Sequence, residues 1–453
     1  MVSRRRLLGG AAATAALAAC DDAPAPSPAA SAAASGVPRA FRWGAATSAF
    51  QVEGATAEDS RGTSIWDTFT RSPGKIRGGD NADVSADHYH RWAGDLDLAR
   101  DLGLTSYRFS VAWPRIQPDG RGPANQKGLD FYKRLVGGLR ERGISPVVTL
   151  YHWDLPQALQ DQGGWENRDS AQWFGDYAEI VFRALGDATP TWLTINEPKT
   201  IVQLGYADGV HPPAKRDRAA AQAVMHHLNL AHGTAVRRLR AALPGQRIGP
   251  ALNLSPVVHD GNADPAQVTA ADIFENRRFL DPLFKGAYPS GVEAPVRDGD
   301  LALISAPNDV LAVQYYNPAT LGGKKFPTSQ ATWEQIYPQG MYDLLVRLKR
   351  DYGDIPLMIT ENGAPFPDTL EGDRVHDPQR TAYIRDHIAA MKKAIAEGVN
   401  VEAYHVWSLL DNFEWTEGYG QRWGIVYVDY PTQRRILKDS ALWYRDMIAG
   451  RAV

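Results

Sequence analysis

From Phe41 onward the chain repeats one pattern: a short apolar, β-branched run, then a longer segment with apolar residues at helical spacing. Strands are expected at 42–46, 106–111, 146–152, 192–196, 247–252, 309–316, 356–361 and 401–408. Helices are expected between them. In 87–102, Trp92, Leu96, Ala99 and Leu102 recur at near-helical spacing, and Gly103 stands where a stop belongs. Segment 127–142 ends at Gly143 and 170–185 at Gly186 in the same way, with further helices at 219–242, 341–352 and 378–397. Eight strands with intervening helices argue a single (β/α)8 TIM barrel, an α/β fold. A doubly wound sheet is the runner-up, but no glycine-rich phosphate loop follows the first strand. The long non-periodic segments 49–86, 114–126, 206–218, 319–338 and 409–435 all follow strands, where a barrel builds its pocket. The sequence shows no internal repeat and no second domain, so 39–453 is read as one domain.

Composition agrees with a large soluble core. The chain has 453 residues, 44% hydrophobic and 22% charged. Its 13 Trp and 18 Tyr must serve mostly as core. Some suit sugar rings, whose C–H faces stack on indole while hydroxyls take hydrogen bonds. Net charge is −3, and Arg4, Arg5 and Arg6 form the one basic block. Nucleic acid is therefore not an expected partner.

Those arginines open an N-terminal address. Residues 1–19 combine the basic Ser3-Arg4-Arg5-Arg6 start with an Ala/Leu-rich stretch too short for a membrane span, which reads as an export signal resembling the twin-arginine type. Leu17-Ala18-Ala19-Cys20 resembles a bacterial lipobox. Cys20 is the only cysteine, so it has no intrachain disulfide partner. Residues 20–38 are rich in Ala, Pro and Ser and read as a flexible tether. The expectation is an exported bacterial protein, periplasmic or at the cell surface, touching membrane only through lipid on Cys20. One acyl chain holds weakly, so stable anchoring needs several.

Chemistry is expected at the strand ends. Leu357-Met358-Ile359-Thr360-Glu361-Asn362-Gly363 runs an apolar strand into a carboxylate, an amide and a glycine. Thr191-Trp192-Leu193-Thr194-Ile195-Asn196-Glu197-Pro198 does the same. Two strand-end glutamates on the ligand face suggest the carboxylate pair of a glycosidase. Alone, His152 would be a core histidine, Arg108 a buried ion-pair partner, Trp407 and Trp415 core aromatics, and Gln51 nothing. Their joint placement at strand ends gives them weight. His226 and His227 are adjacent and cannot share a helix face, and His88, His90 and His232 add no metal-ligand spacing.

Taken together the motifs resemble glycoside hydrolase family one, the β-glucosidase family. The resemblance rests on Asn196-Glu197-Pro198, Thr360-Glu361-Asn362-Gly363, the run from Trp407 to Trp415 and the opening Phe41 to Gly54, all in order, and spans 40–447. It implies Glu197 as general acid/base, Glu361 as nucleophile, and Arg108 and Tyr316 donating to Glu361. It implies Asn196 on the sugar 2-hydroxyl, with Gln51, His152, Glu414 and Trp415 on the other hydroxyls. Trp407 would be the platform under the ring, Trp153 a neighbouring wall, and Trp333 the leaving-group side. No metal or organic cofactor is implied. The implied activity is that of a retaining exo-acting β-glycosidase, most simply a β-glucosidase on small β-glucosides or cello-oligosaccharides. A galactoside or fucoside preference stays open. A silent sugar-binding relative is disfavoured because both glutamates are kept, and a phospho-β-glucosidase because Glu414 would repel phosphate. Two departures stand out: Gln314 where Asn is usual, and Val406 where an aromatic is commoner. On that ground Gln314 is not counted among the expected site residues.

Overall fold

The computed structural model describes residues 36–452. The expected export signal, Cys20 and most of the tether lie outside the described residues. Eight parallel strands close into a barrel: β1 (Arg42–Ala46), β2 (Ser106–Ser110), β3 (Ser145–Tyr151), β4 (Thr191–Asn196), β5 (Arg247–Asn253), β6 (Leu311–Gln314), β7 (Leu357–Glu361) and β8 (Val401–Trp407). Each pairs with its neighbours in sequence, and β8 closes on β1 with Ala46 opposite Trp407. The main outer helices are α1 (His88–Asp101), α2 (Gln126–Glu141), α3 (Ser170–Leu185), α4 (Arg218–Ala242), α5 (Arg278–Lys285), α6 (Pro338–Tyr352), α7 (Pro378–Ala396) and α8 (Asp439–Ile448).

The glycine stops work for two of the three helices. Gly103 and Gly143 take φ of 74° and 72° after α1 and α2, the left-handed turn that ends a helix. Gly186 instead keeps φ −55° and leads into a 3₁₀ turn, Gly186–Ala188. Asp217 starts α4 by accepting from the amides of Ala219 and Ala220 at 2.9 and 3.1 Å.

The barrel interior is layered. Val147, Leu193, Ala251, Val310, Ala312, Met358 and Ala403 form one buried apolar cluster. Toward the strand C-termini the interior turns polar, with Arg108, Thr149, Asn196, Gln314 and Glu361 all buried. This is the end where a barrel carries chemistry.

Sixth-strand pairing is shorter than its apolar run. The expected 309–316 contracts to Leu311–Gln314, and the register slips at its C-terminal end: Val313 pairs with Ile359, but Gln314 pairs with Glu361, skipping Thr360. That irregularity brings the Gln314 side chain beside Glu361. Segment 409–435, expected to be irregular, contains most of an antiparallel hairpin, Val426–Asp429 with Arg434–Leu437.

Candidate active site

Glu361 ends β7 and is held by three donors. Its Oε1 accepts from the Arg108 Nη1, in a close ion pair, and from Gln314 Nε2 at 2.9 Å. Its Oε2 accepts from the Tyr316 hydroxyl at 2.7 Å. Gly363 follows because a side chain there would meet the Trp407 carbonyl at 1.8 Å, so only glycine lets the ends of β7 and β8 approach.

Arg108, on β2, is fully buried and spends all its donors inside the barrel: Nε goes to Thr149 Oγ1 at 3.0 Å, and Nη2 to Asn196 Oδ1 at 2.6 Å. A buried guanidinium needs this many partners to be tolerated. The same Asn196 oxygen accepts from Gln314 Nε2 at 2.6 Å. With its oxygen facing two donors, Asn196 presents its Nδ2 to His152 Nε2 at 3.1 Å. Burial first, and the Arg108 charge second, hold His152 well below its ordinary pKa. The imidazole is therefore neutral, accepts at Nε2 and carries its proton on Nδ1, which has no acceptor among the described residues.

Glu197 sits one residue past β4. Its backbone is left-handed (φ 45°, ψ 63°), and Pro198 opens the short helix Pro198–Thr200 behind it. Trp153 (φ 79°) and Trp415 (φ 47°) share that unusual conformation. Such backbone concentrates where function fixes it. Glu197 Oε2 accepts from Thr200 Oγ1 at 2.8 Å, and Thr200 in turn accepts from Asn253 Nδ2 at 3.0 Å. Thr200 and Asn253 were not expected from sequence.

The two carboxylates differ electrically. Burial, then the Glu361 charge, push Glu197 up to about 8, against weaker pulls from Thr200, Lys199 and Arg108. Burial also raises Glu361. Arg108 and Tyr316 do favour its charged form, but desolvation outweighs them. Glu361 still has the Arg108 cation in contact and Glu197 does not, so of the pair Glu361 ionises first.

A hydrogen-bonded floor and an aromatic wall complete the site. Gln51 Nε2 donates to Glu414 Oε2 at 3.2 Å and to Asn412 Oδ1 at 3.1 Å, while its Oε1 accepts from Ser48 at 2.7 Å. Burial, then Glu361 and Glu197, push half-buried Glu414 up to about 8. His152 stacks between Trp407 and Trp415, centroids 5.8 and 5.9 Å away. Trp153 lies 4.6 Å from Trp415 and donates its indole N–H to the Asn196 carbonyl at 2.9 Å. Trp333, 56% exposed, stacks on Trp423, which meets Tyr316 edge-on at 5.6 Å.

Within the described residues, every residue expected at the site joins this one constellation. The sequence reading missed Gln314, which bridges Asn196 and Glu361. Its signal was present, a polar residue directly before Tyr315-Tyr316, but it was set aside for differing from Asn. Trp423 was missed because it stands in a segment read as loop. His226 and His227, read as non-ligands, go to Asp300 at 2.8 Å and to the Trp165 carbonyl at 2.9 Å.

The profile described as Glycosyl hydrolase family 1 matches residues 34–328 and 323–452. Beta-glucosidase A of Acetivibrio thermocellus is 44% identical over 440 residues, covering 91% of this chain and 98% of that protein. Thermostable beta-glucosidase B of Thermobispora bispora is 48% identical over 434 residues, covering 91% and 90%. Among solved structures, beta-glucosidase from Thermotoga maritima in complex with glucoimidazole superposes with a TM-score of 0.89 at 41% identity, covering 92% of this chain and 99% of that one.

Proposed function

The chain belongs to glycosyl hydrolase family 1 and is a retaining β-glucosidase, and on that premise we propose Glu361 as its nucleophile and Glu197 as its acid/base. The observation that carries the assignment is the unequal pair. Glu361 has a guanidinium, an amide and a phenol donating to it, whereas Glu197 has one hydroxyl and the field of Glu361. A nucleophile must be ionised while the acid holds its proton, and these surroundings separate the two.

The reaction follows from the atoms in place. Glu361 attacks the anomeric carbon from the face opposite the leaving group as Glu197 protonates the departing oxygen. A covalent glucosyl ester forms on Glu361. Water then enters on the vacated side, Glu197 takes its proton, and the ester opens with net retention. Asn196 keeps its Nδ2 on the pocket side because its oxygen is fixed by Arg108 and Gln314, and this amide serves the sugar 2-hydroxyl. The free Nδ1–H of His152, with Gln51 and Glu414, serves the remaining hydroxyls of a terminal glucosyl unit. Trp407 carries the ring face. Trp153 and Trp415 wall the site, and Trp333 flanks the aglycone.

Substrate charge tests this reading. A 6-phosphate would sit among Glu414, Glu361 and Glu197, and Gln51 is a neutral donor. Aryl β-glucosides are expected to be cleaved at least about a hundredfold faster than their 6-phosphates, since burying a phosphate charge beside Glu414 with only the neutral Gln51 as donor costs a few kcal/mol. Comparable kcat/KM on the two would overturn the glycone assignment.

We propose further that Cys20 is lipidated and anchors an exported enzyme. The support is sequence alone: a basic start, an apolar stretch, Leu17-Ala18-Ala19 and a lone cysteine, followed by a polar tether. Cys20→Ser is expected to move the protein from the membrane to the soluble fraction. A wild type already soluble, or with a mature N-terminus elsewhere, excludes the anchor.

A further inference from the structure

A cavity of about 660 Å³ opens away from the glycone site, between α4, the helix Pro265–Asp272, the π-helical turn Ile273–Arg277 and residues 290–293. None of its lining residues belongs to the site described above. Its walls are largely apolar, with Met225, Ile273, Val292 and a 39% exposed Phe274. Arg278 stands in this wall. Its guanidinium carbon lies 4.0 Å from the Phe274 ring centroid.

Arg278 is half-buried, and it differs from the fully buried arginines. Arg108 pairs with Glu361, Arg115 with Glu53 and Arg380 with Asp377. Arg278 Nε and Nη2 are buried without a hydrogen-bond acceptor among the described residues. Three acids on the adjoining helical segments are already engaged, and Glu293, exposed at the rim, makes no ion pair with Arg278. Glu275 holds Lys199 at 2.6 Å, Asp281 holds Arg277 at 3.0 Å, and Asp272 is clasped by Arg347. Burial depresses the Arg278 guanidinium to about 10, against the attraction of Glu275. Guanidinium nitrogens closed to water and left without an acceptor are costly, and an anion reaching the same guanidinium offsets that cost.

We propose that this cavity binds an amphiphilic monoanion, a carboxylate on an aromatic or short aliphatic body. The carboxylate pairs with Arg278, and the body lies against Phe274, Met225 and Val292. The volume suits one small molecule. Planar carboxylates match a guanidinium. A phosphate dianion would meet Glu293 at the rim and gain nothing from the apolar surface.

Isothermal titration calorimetry on the intact protein, with glucose present to fill the glycone site, decides this. The probes are 3-phenylpropionate, its neutral analogue 3-phenylpropanol, and acetate. Saturable one-site binding of the acid is expected, at least about tenfold tighter than the alcohol, acetate or Arg278→Gln binding, since a charge-assisted pair contributes at least this much. Unchanged turnover of an aryl glucoside shows that Arg278→Gln is folded. Should it not fold, Phe274→Ala at the exposed rim is expected to weaken binding of the acid instead. No saturable binding, equal affinity for acid and alcohol, or affinity untouched by the substitution overturns the proposal.

Discussion

Glu361→Ala is expected to abolish hydrolysis of every β-glucoside, by a factor on the order of 10⁵–10⁶, the scale seen when a covalent nucleophile is removed. No other carboxylate can replace it. Glu197 is the proton donor on the opposite strand end, and Glu414 is hydrogen-bonded to Gln51 at the floor. The vacated space is not neutral. Arg108, Gln314 and Tyr316 still aim their donors at it, and Arg108 loses its only carboxylate, keeping Asn196 and Thr149 as acceptors. Removing one partner of a buried pair costs roughly 3–5 kcal/mol, so the variant should also unfold at lower temperature. The same uncompensated cation should draw in azide. Added azide is expected to restore part of the turnover on an activated aryl glucoside, attacking from the Glu361 side to give the α-glucosyl azide. A β-glucosyl azide, or substantial hydrolysis without azide, would show that Glu361 is not the nucleophile.

How much of this was legible beforehand depends on what each residue's signal consists of. Seven of the eight strands sit within a residue or so of their expected bounds, because a short apolar run bounded by polar loops carries its own signal. The sixth was overrun at both ends, and at its C-terminal end a register slip at Gln314 depends on pairing with β7, which leaves no mark on the local pattern. The hairpin Val426–Asp429 with Arg434–Leu437 was lost inside a long segment whose periodicity is broken by the turn between them. In the site, the groups at strand ends were legible because position and chemistry coincide there. Their supports were not. Thr200 reaches Glu197 from a helix start, Asn253 reaches Thr200 from β5, and Trp423 reaches Tyr316 from the region after β8. Each acts through a contact between segments, and nothing in its own neighbourhood announces it. Gln314 shows the opposite hazard. The residue was noticed, then discounted because it is one methylene longer than expected, yet that length spans from Asn196 to Glu361.

Glu197→Ala should separate substrates by their leaving groups. A poor leaving group, such as the sugar of cellobiose, departs only with a proton and is expected to slow by about 10²–10⁴-fold, the usual contribution of a positioned acid. A dinitrophenolate leaves unaided, so formation of the glucosyl ester should be little affected. The second step then limits turnover, because water has lost its base. The pH profile carries the sign. Glu197 must be protonated for the first step and its pKa is pushed up to about 8, so kcat/KM should fall as pH rises through that value, while the acid limb belongs to protonation of Glu361. Glu414 titrates in the same range under the fields of Glu361 and Glu197, so the wild-type limb belongs to the coupled group, and the leaving-group series is what isolates Glu197. In the variant, kcat/KM for the dinitrophenyl glucoside should lose the part of that limb due to Glu197. Retention closes the argument. Carboxylates that cooperate by direct attack stand about 5–5.5 Å apart, with no room for water between Glu361 and the sugar. Proton NMR of the first sugar released by the wild type should show the β-anomer. An initial α-anomer would mean inversion, a water held by Glu361 as base, and a different reading of the three donors around it.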